Sequence, residues 1–400
     1  MFRKKIKLPL VLFLCAVAFV LGLSVQLLTA ARVEATWNLL YQALSIVRLQ
    51  FVETDVKDDK LIYGAIRGML RALDDPYTRF IDPEGYEEMQ THLNGNFAGI
   101  GIHIGMKDSV LTVIAPIEDT PAARAGLRAG DKILEINGRS TEDMSQEQAV
   151  SLIRGPKGTK VTLLILRNIK EKAKEYPIIR DNIQIKSVTR QKLLDDKNKI
   201  GYILLSTFES KLTYTELAAA LKDLNKQGMR SLILDLRNNG GGLLDEAVAI
   251  ASVFIKDGAI VHTVDRYGNK ETFQTSDVDY KLYDKPLVVL INGGSASASE
   301  IVAGAILDNQ RGVLIGTNSF GKASVQNIRP LSDGSAILIT VAKYLTPRNN
   351  NINKTGISPN FVVEIPTATI EEALNDPNYK YSEEKDAQLQ YALDYLRKLK

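Results

Sequence analysis

Apolar and polar positions along the chain change period twice, and each regime predicts a different kind of element. Over 33–50 and 60–73 the apolar residues fall at helical spacing: Trp37, Leu40, Leu44 and Val47, then Leu61, Ile62, Ala65, Ile66, Met69, Leu70 and Leu73. Two helices are predicted, the second stopped by Asp74-Asp-Pro76. From about Gly95 the period becomes two. Phe97 to Ile104 alternates and Val110 to Ala115 follows; a short helix at Pro121 to Leu127 precedes a strand within Gly130 to Gly138. A helix near Ser145 to Arg154, a turn at Gly155-Pro-Lys-Gly158 and a strand at Val161 to Arg167 complete this part. Beyond about 183, buried strands alternate with helices: strands at Ile200 to Leu205, Ser231 to Leu236, Leu287 to Ile291 and Gly312 to Ile315, helices at Tyr214 to Lys226, Leu243 to Phe254 and Glu300 to Leu307. That order predicts an α/β sheet with parallel neighbours and helices on its faces. In such sheets, sites collect where loops leave the carboxyl ends of strands. A last helix is predicted over 382–400, capped by Ser382, with Leu389, Leu393 and Leu396 on one face. The chain thus divides into a leader over 1–31, a helical region over 32–94, a mostly β domain over 95–170, an α/β domain over 171–366 and a helical tail over 367–400.

The order of small strands and two helices over 95–170 resembles a PDZ domain. The resemblance rests on the Gly99-Ile-Gly-Ile102 loop, the Pro121-Ala-Ala-Arg-Ala-Gly-Leu127 helix, the Gly130-Asp-Lys-Ile-Leu-Glu-Ile-Asn-Gly138 strand and the Ile153-Arg-Gly-Pro-Lys-Gly-Thr159 turn, in that order. The two glycines of the first loop are not a dinucleotide fingerprint, which needs a helix after them, whereas both flanks here alternate like strands. What the resemblance implies is that Gly99, Ile100, Gly101 and Ile102 present N–H groups to a peptide's terminal carboxylate, and that the next strand pairs with the peptide.

Composition adds a compartment. The net charge of +3 comes from the leader: Arg3, Lys4, Lys5 and Lys7 precede any acid, the first being Glu34, and residues 32–400 carry 46 basic and 47 acidic side chains. No basic footprint for nucleic acid remains. Leu8 to Ala31 is 24 residues without charge, which reads as a signal peptide or signal anchor and places residue 32 onward outside the cytoplasm. If uncleaved, it attaches the protein to the membrane. The one cysteine, Cys15, lies within that segment, so the body of the protein has no disulfide, thiol nucleophile or cysteine metal site.

Three Gly/Ser/Asn-rich loops follow buried strands of the α/β region: Arg237 to Gly242, Asn292 to Ser299 and Asn318 to Gln326. In the second, Ser297 and Glu300 match the capping box S-x-x-E. A capping role explains Ser297 without catalysis, yet the same position sets its oxygen at the positive end of a helix, where an oxyanion is stabilised. The base narrows the choice. The chain has only His92, His103 and His262, none in a catalytic context, and no G-x-S-x-G or H-E-x-x-H motif. If Ser297 is a nucleophile, its base is a lysine, and Lys322 is the candidate: Phe320 precedes it and no acid lies between Asp308 and Asp333. Such a base needs a free-lysine pKa of about 10.4 brought down toward 7, within what burial supplies. Gln326, four residues on, shares its face.

Residues 60–366 resemble the carboxyl-terminal processing peptidases, PDZ-containing serine proteases of peptidase family S41 with a Ser–Lys dyad. The motifs are Asp235-Leu-Arg-Asn-Asn-Gly-Gly-Gly-Leu243, Asn292-Gly-Gly-Ser-Ala-Ser-Ala-Ser-Glu-Ile301, Phe320-Gly-Lys-Ala-Ser-Val-Gln326 and Leu331-Ser-Asp-Gly-Ser335, with Leu73-Asp-Asp-Pro-Tyr77 and Phe80-Ile-Asp-Pro83 before them. Gly240 and Ala323 depart from the family's usual residues without removing a catalytic group. The resemblance implies a crotonase/ClpP-like α/β protease domain carrying an inserted PDZ domain, with helical segments at both ends. It implies Ser297 as nucleophile, Lys322 as base, Gln326 as its support, and the N–H groups of Ala298 and Gly241 as oxyanion hole. It further implies no cofactor and no metal, protein or peptide substrates with apolar C-termini, and a PDZ domain that gates cleavage, with Arg154 as candidate relay. The terminal helices are candidates for a homodimer contact. Two rival readings are a membrane-tethered PDZ scaffold with an inactive protease domain and an acyl-CoA enzyme of crotonase type; the latter has no use for a PDZ domain or an export signal.

Overall fold

The computed structural model describes residues 37–94, 96–107, 110–117, 120–128, 130–142, 144, 146–167, 172–184, 186–367 and 382–399. The leader over 1–31 lies outside them. Among the described residues no helix is long and apolar enough to cross a membrane. The chain forms two units, Met1–Phe80 and Ile81–Lys400.

In the first unit, helix α1 spans 37–50 and α2 spans Asp58–Arg71. Asp58 and Asp59 sit in the first turn of α2 and Arg71 in its last, each sign suiting its end of the helix dipole. Asp74 turns the chain with φ 51°, and strand β1 (Arg79–Ile81) follows. Phe80 packs on Tyr63, ring centroids 4.7 Å apart, with the Arg67 guanidinium over its ring.

The second unit opens with α3 (Pro83–Leu93) and a mostly β part: β2 (Asn96–Gly99), β3 (Ile102–Lys107), β4 (Val110–Pro116), α4 (Pro121–Arg124), β5 (Lys132–Ile136), β6 (Arg139–Ser140), α5 (Gln146–Ile153), β7 (Lys160–Leu166), β8 (Lys174–Ile179) and β9 (Asp181–Gln184). The antiparallel order β3-β4-β5-β7-β8 leaves β3 at an edge, while β2 pairs with β9 and so closes the chain's entry against its exit. Ile100, Leu111, Val113, Ile133, Ile136, Val161, Leu163 and Ile165 form its core, as the period-two pattern requires. Strand β8 lies beyond Arg167, where periodicity ended the last strand of this part.

The remainder builds a six-stranded sheet from β10 (Val188–Asp195), β11 (Ile200–Leu205), β12 (Ser231–Asp235), β15 (Leu287–Ile291), β16 (Val313–Gly316) and β19 (Phe361–Val362). All neighbours are parallel except β10 with β11. Strands β12 and β15 are buried at every position because both faces are covered. One face, with Leu232, Leu234, Val289 and Ile291, packs against α6 (Thr213–Lys226), α7 (Leu244–Phe254) and α8 (Ala298–Asp308). The other, with Tyr202, Ile233, Val288 and Leu290, packs against Leu389, Ala392, Leu393 and Leu396 of α9 (Ala387–Lys398). A second antiparallel sheet contains β13 (Ala259–Asp265), β14 (Lys270–Gln274), β17 (Ser324–Pro330) and β18 (Ala336–Leu345).

The tail helix starts five residues later than expected. Ser382 heads a turn, and the cap is Asp386, whose side chain accepts the Leu389 N–H at 3.0 Å. Asp386 wins because its carboxylate is also claimed by Arg237, described below.

Candidate active site

The carboxyl ends of β12, β15 and β16 release three loops side by side, and the main chain of each is fastened to the next. Ser295 and Ser299 are both fully buried. Ser295 Oγ donates to the Leu236 carbonyl at 2.8 Å, and Ser299 Oγ donates to the Asn239 carbonyl at 2.8 Å. The Ala296 N–H, between them, donates to the same Asn239 carbonyl at 3.0 Å. Two of the three serines therefore bolt the β15–α8 loop to the β12–α7 loop. Ser297, the middle one, is only half-buried and sits at the N-terminal end of α8 with φ 54° and ψ −114°. That backbone conformation is costly for an L residue and persists only where neighbours enforce it. They do so here: the Ser297 carbonyl accepts from Ile301 N–H at 2.9 Å and Tyr344 O–H at 3.3 Å, and its N–H donates to Glu300 Oε2 at 2.9 Å. The Ala298 N–H, at the first helical position, has no acceptor among the described residues.

Glu300 joins the third loop to the first two. Its carboxylate, 1% exposed, accepts five hydrogen bonds. Oε2 takes the N–H of Ser297 and of Lys322, each at 2.9 Å, and the Tyr344 hydroxyl at 3.2 Å. Oε1 takes the Ser319 hydroxyl and the Gly321 N–H, both at 2.6 Å. A buried carboxylate is tolerated when its lone pairs are satisfied in this way. One oxygen thus holds the main chains of Ser297 and Lys322 together. The Phe320 N–H, between two Glu300 partners, donates to the Ser295 carbonyl at 3.0 Å. Lys322 is half-buried, two residues before β17. Gln326 lies on β17 just after a register shift, and its amide donates to Ser324 Oγ at 2.9 Å and Thr340 Oγ1 at 3.2 Å, so it engages its own sheet.

Gly241, the other expected oxyanion donor, abuts the turn at Ser297. With φ +95°, an added Cβ there would lie 2.8 Å from the Ala298 nitrogen and 2.8 Å from Ser297 Cβ, so only glycine fits. Its N–H donates to Asn239 Oδ1 at 2.9 Å, and Asn239, fully buried, donates from Nδ2 to the Leu205 carbonyl at 2.8 Å.

Behind this loop lies a buried ionic cluster. Arg237 donates to Asp235 (2.7 Å), to Asp386 (2.8 and 2.9 Å) and to Gln388 (3.0 Å), while the Tyr202 hydroxyl donates to Asp235 at 2.8 Å. Burial alone disfavours the guanidinium charge, but its bonds to and attraction by the two carboxylates outweigh it and raise the Arg237 pKa. A cavity of about 420 Å³ opens here, lined by Arg190, Tyr202, Asp235, Arg237, Asn238 and Asp386 among others, with neither Ser297 nor Lys322 in its wall.

In the PDZ-like part, Gly101 has φ +77° and lies where any Cβ would strike Thr120, whose hydroxyl donates to the Gly101 and Ile117 carbonyls. Ile100 is buried, and Ile102 begins the edge strand β3. Arg154 follows α5 and pairs with Glu88 of α3 at 2.7 Å. Arg180, outside the expected site, closes the end of α5 by donating to the Leu152 and Ile153 carbonyls, both at 2.8 Å. His262 is a packing residue: its ring nitrogens meet Thr272 Oγ1 at 2.8 Å and the Pro347 carbonyl at 3.0 Å. Among the described residues no cluster could hold a metal ion.

Comparison with known proteins agrees with this architecture. The model of peptidase family S41 matches residues 199–363, that of the PDZ domain 112–167, and that of the activating protease CtpB N-terminal domain 24–85. The carboxyl-terminal-processing protease of Synechocystis is 40% identical over 376 residues, covering 93% of this chain and 84% of the relative. The chain belongs to the carboxyl-terminal processing proteases of family S41. The carboxy-terminal processing protease CtpB of Bacillus subtilis is 36% identical over 326 residues, 81% of this chain and 67% of its own. Among solved structures, the photosystem II D1 C-terminal processing protease is 33% identical with a TM-score of 0.50, covering 82% of this chain and 88% of that one. An S41 protease from Bacteroides fragilis shares the fold at TM-score 0.56 and 16% identity, over 89% and 97%. This protease is therefore a serine hydrolase with an α/β protease fold and a PDZ domain.

Sequence reasoning passed over Glu300 as more than a cap, and over Asn239, Tyr344 and Asp386. For Glu300 a signal existed: it is the one charged residue between Leu287 and Leu307, at the point where the Gly/Ser loop gives way to an apolar helix face. Tyr344 and Asp386 carried none, because their partners are 44 and 149 residues away.

Proposed function

We propose that this protease is an endopeptidase that cleaves extracytoplasmic protein substrates near their C-termini through a Ser297–Lys322 dyad gated by its PDZ domain. The observation that carries the reading is the shared oxygen of Glu300, which fixes the half-exposed Ser297 and Lys322 by their main chains to one anchor. Neutral Lys322 takes the Ser297 proton, Ser297 attacks the scissile carbonyl, and protonated Lys322 donates to the leaving amine; water activated by the same lysine then releases the acyl group. Gln326 supports Lys322 indirectly, by ordering the start of β17 through Ser324.

The Ala298 N–H serves the oxyanion at the positive end of α8. The Gly241 N–H joins it once released from Asn239 Oδ1, and that exchange gives the PDZ domain something to control. A peptide terminus captured at Gly99 to Ile102 adds to the β3 edge beside α5. From there Arg154 holds Glu88 of α3, the Leu93 carbonyl at the end of α3 accepts the Lys211 N–H at 3.0 Å, and Phe208 donates to the Gly241 carbonyl at 2.9 Å. The leader supports secretion or a membrane anchor. The exposed apolar residues of α1, Leu39 and Leu49 among them, support a homodimer contact.

The test is to incubate the full chain with an unfolded protein ending in apolar residues, beside Ser297→Ala, Lys322→Ala and Arg154→Ala. Ser297→Ala and Lys322→Ala should lose at least about 10³-fold in kcat, as loss of a nucleophile or its base does. Arg154→Ala should lose the difference between free and amidated substrate C-termini. Cleavage by Ser297→Ala at the parent rate would end the dyad reading.

A further inference from the structure

One main-chain donor and acceptor pair beside Ser297 is left over by everything above. Phe208, fully buried, forms a parallel bridge to Gly242: its N–H donates to the Gly241 carbonyl and its carbonyl accepts the Leu243 N–H, both at 2.9 Å. In a trans peptide the C=O and N–H point in opposite directions. With the Gly241 carbonyl and Leu243 N–H both aimed at Phe208, the Gly242 N–H and C=O are both aimed away from it. Gly242 is exposed, and neither group has a partner among the described residues. Residues 241–243 are thus the outer edge of a minimal two-strand ladder, and Gly242 is one residue from Gly241, which abuts Ser297 and the Ala298 nitrogen. Gly242 cannot carry a side chain: at φ +150° a Cβ would fall 2.2 Å from the Phe208 carbonyl carbon and 2.4 Å from the Glu209 nitrogen.

An unpaired N–H and C=O on one side of an extended segment form a template for one more strand. We propose that Gly242 is the main-chain docking point of the substrate in the catalytic cleft. An extended substrate segment adds beside residues 241–243, exchanging hydrogen bonds with Gly242 N–H and C=O, and this lays the neighbouring peptide bond over Ser297. The proposal rests on Ser297 being the nucleophile. It gives the cleft a substrate class: chain that can be drawn out to full extension, held through its backbone and largely indifferent to the side chain at the paired residue. Folded helices and compact termini, whose amides are already engaged, are excluded from the cleft. Selection by sequence then falls to contacts elsewhere, among them the PDZ edge.

The test uses the full chain and a twelve-residue peptide spanning a site that mass spectrometry maps in reduced, carboxymethylated lysozyme. Each backbone amide of the peptide is replaced in turn by an ester, which removes one donor, and each residue separately by alanine. One position near the scissile bond should lose about 10-fold in kcat/KM on ester replacement, the worth of one main-chain hydrogen bond. Alanine at that residue should stay within about 3-fold, and esters at the peptide's ends within about 2-fold. A flat ester scan, with cleavage still abolished by Ser297→Ala, overturns the docking proposal and leaves the protease reading standing. Cleavage that persists in Ser297→Ala overturns the protease reading and, with it, this one.

Discussion

Replacing Glu300 by glutamine tests the hub that joins the three loops. All five groups facing the carboxylate donate to it, and three are backbone N–H groups that cannot do otherwise: Ser297, Gly321 and Lys322. A carboxylate is acceptor-only, whereas an amide turns one of its two atoms into a donor. With the NH₂ at the Oε1 position, Gly321 loses its acceptor; at the Oε2 position, Ser297 and Lys322 both do. At best one buried N–H is left unsatisfied, costing about 1–3 kcal/mol, and the remaining bonds lose charge assistance worth about another 1 kcal/mol. The variant should be about 2–4 kcal/mol less stable, read as a lowered urea midpoint at unchanged slope. Relief of the clash moves either Ser297 or the Gly321–Lys322 segment, and for the proposed Ser297–Lys322 dyad a displacement near 1 Å costs about 10²-fold in rate. The expected signature is kcat down about 10²-fold with KM within about 3-fold, and slower labelling of Ser297 by a fluorophosphonate. A glutamine variant with the parent midpoint and parent kcat would refute the argument, because no amide orientation satisfies the same five donors.

Two further outcomes follow from the charges around α9. Asp386→Ala removes a partner of buried Arg237 together with the cap of α9, and should cost roughly 3–5 kcal/mol by thermal unfolding, since breaking one side of a buried pair strands the other. Asp195 bears on pH: the side-chain and backbone bonds from Asn198, then the Arg397 guanidinium, hold its carboxyl well below the usual range. A depressed carboxyl pKa contributes stability that is fully present above the unfolded value of about 3.9 and is lost as pH falls toward the folded value. The difference in urea midpoint between parent and Asp195→Asn should therefore be constant from pH 7 to 5 and shrink below pH 4; a difference that grows on acidification would contradict the assignment.

Periodicity located the elements whose partners are close in sequence or whose burial is complete. Strands β11 and β15 fall where the apolar runs put them, because both faces of the sheet are covered and no polar alternation blurs the ends. Strands β8 to β10, with Glu175, Asp181 and Arg190 among their apolar residues, are edge or half-exposed elements, and their pattern does not separate from loop. The family motifs placed Ser297, Lys322 and Gly241 in three adjoining loops. What they did not carry is direction: that Gln326 turns to Ser324 and Thr340 depends on a register shift after Val325, and that Gly241 gives its N–H to Asn239 depends on an asparagine rotamer.

The alternation of serines at 295, 297 and 299 has a physical reason once the loop geometry is known. The turn from β15 into α8 must press against Leu236 to Asn239 without a sheet ladder between them, so its polar groups need local partners. Ser295 and Ser299 supply these by donating to carbonyls of the facing loop, and each is buried by doing so. Between these two anchored residues Ser297 holds φ 54° and ψ −114° at the N-terminal end of α8. Ser297, half-buried, is the least buried of the three serines, the other two being taken up in joining the loops. Substituting Ser295 or Ser299 should act on Ser297 through that turn, whereas Ser297 itself contributes little to the packing it stands on.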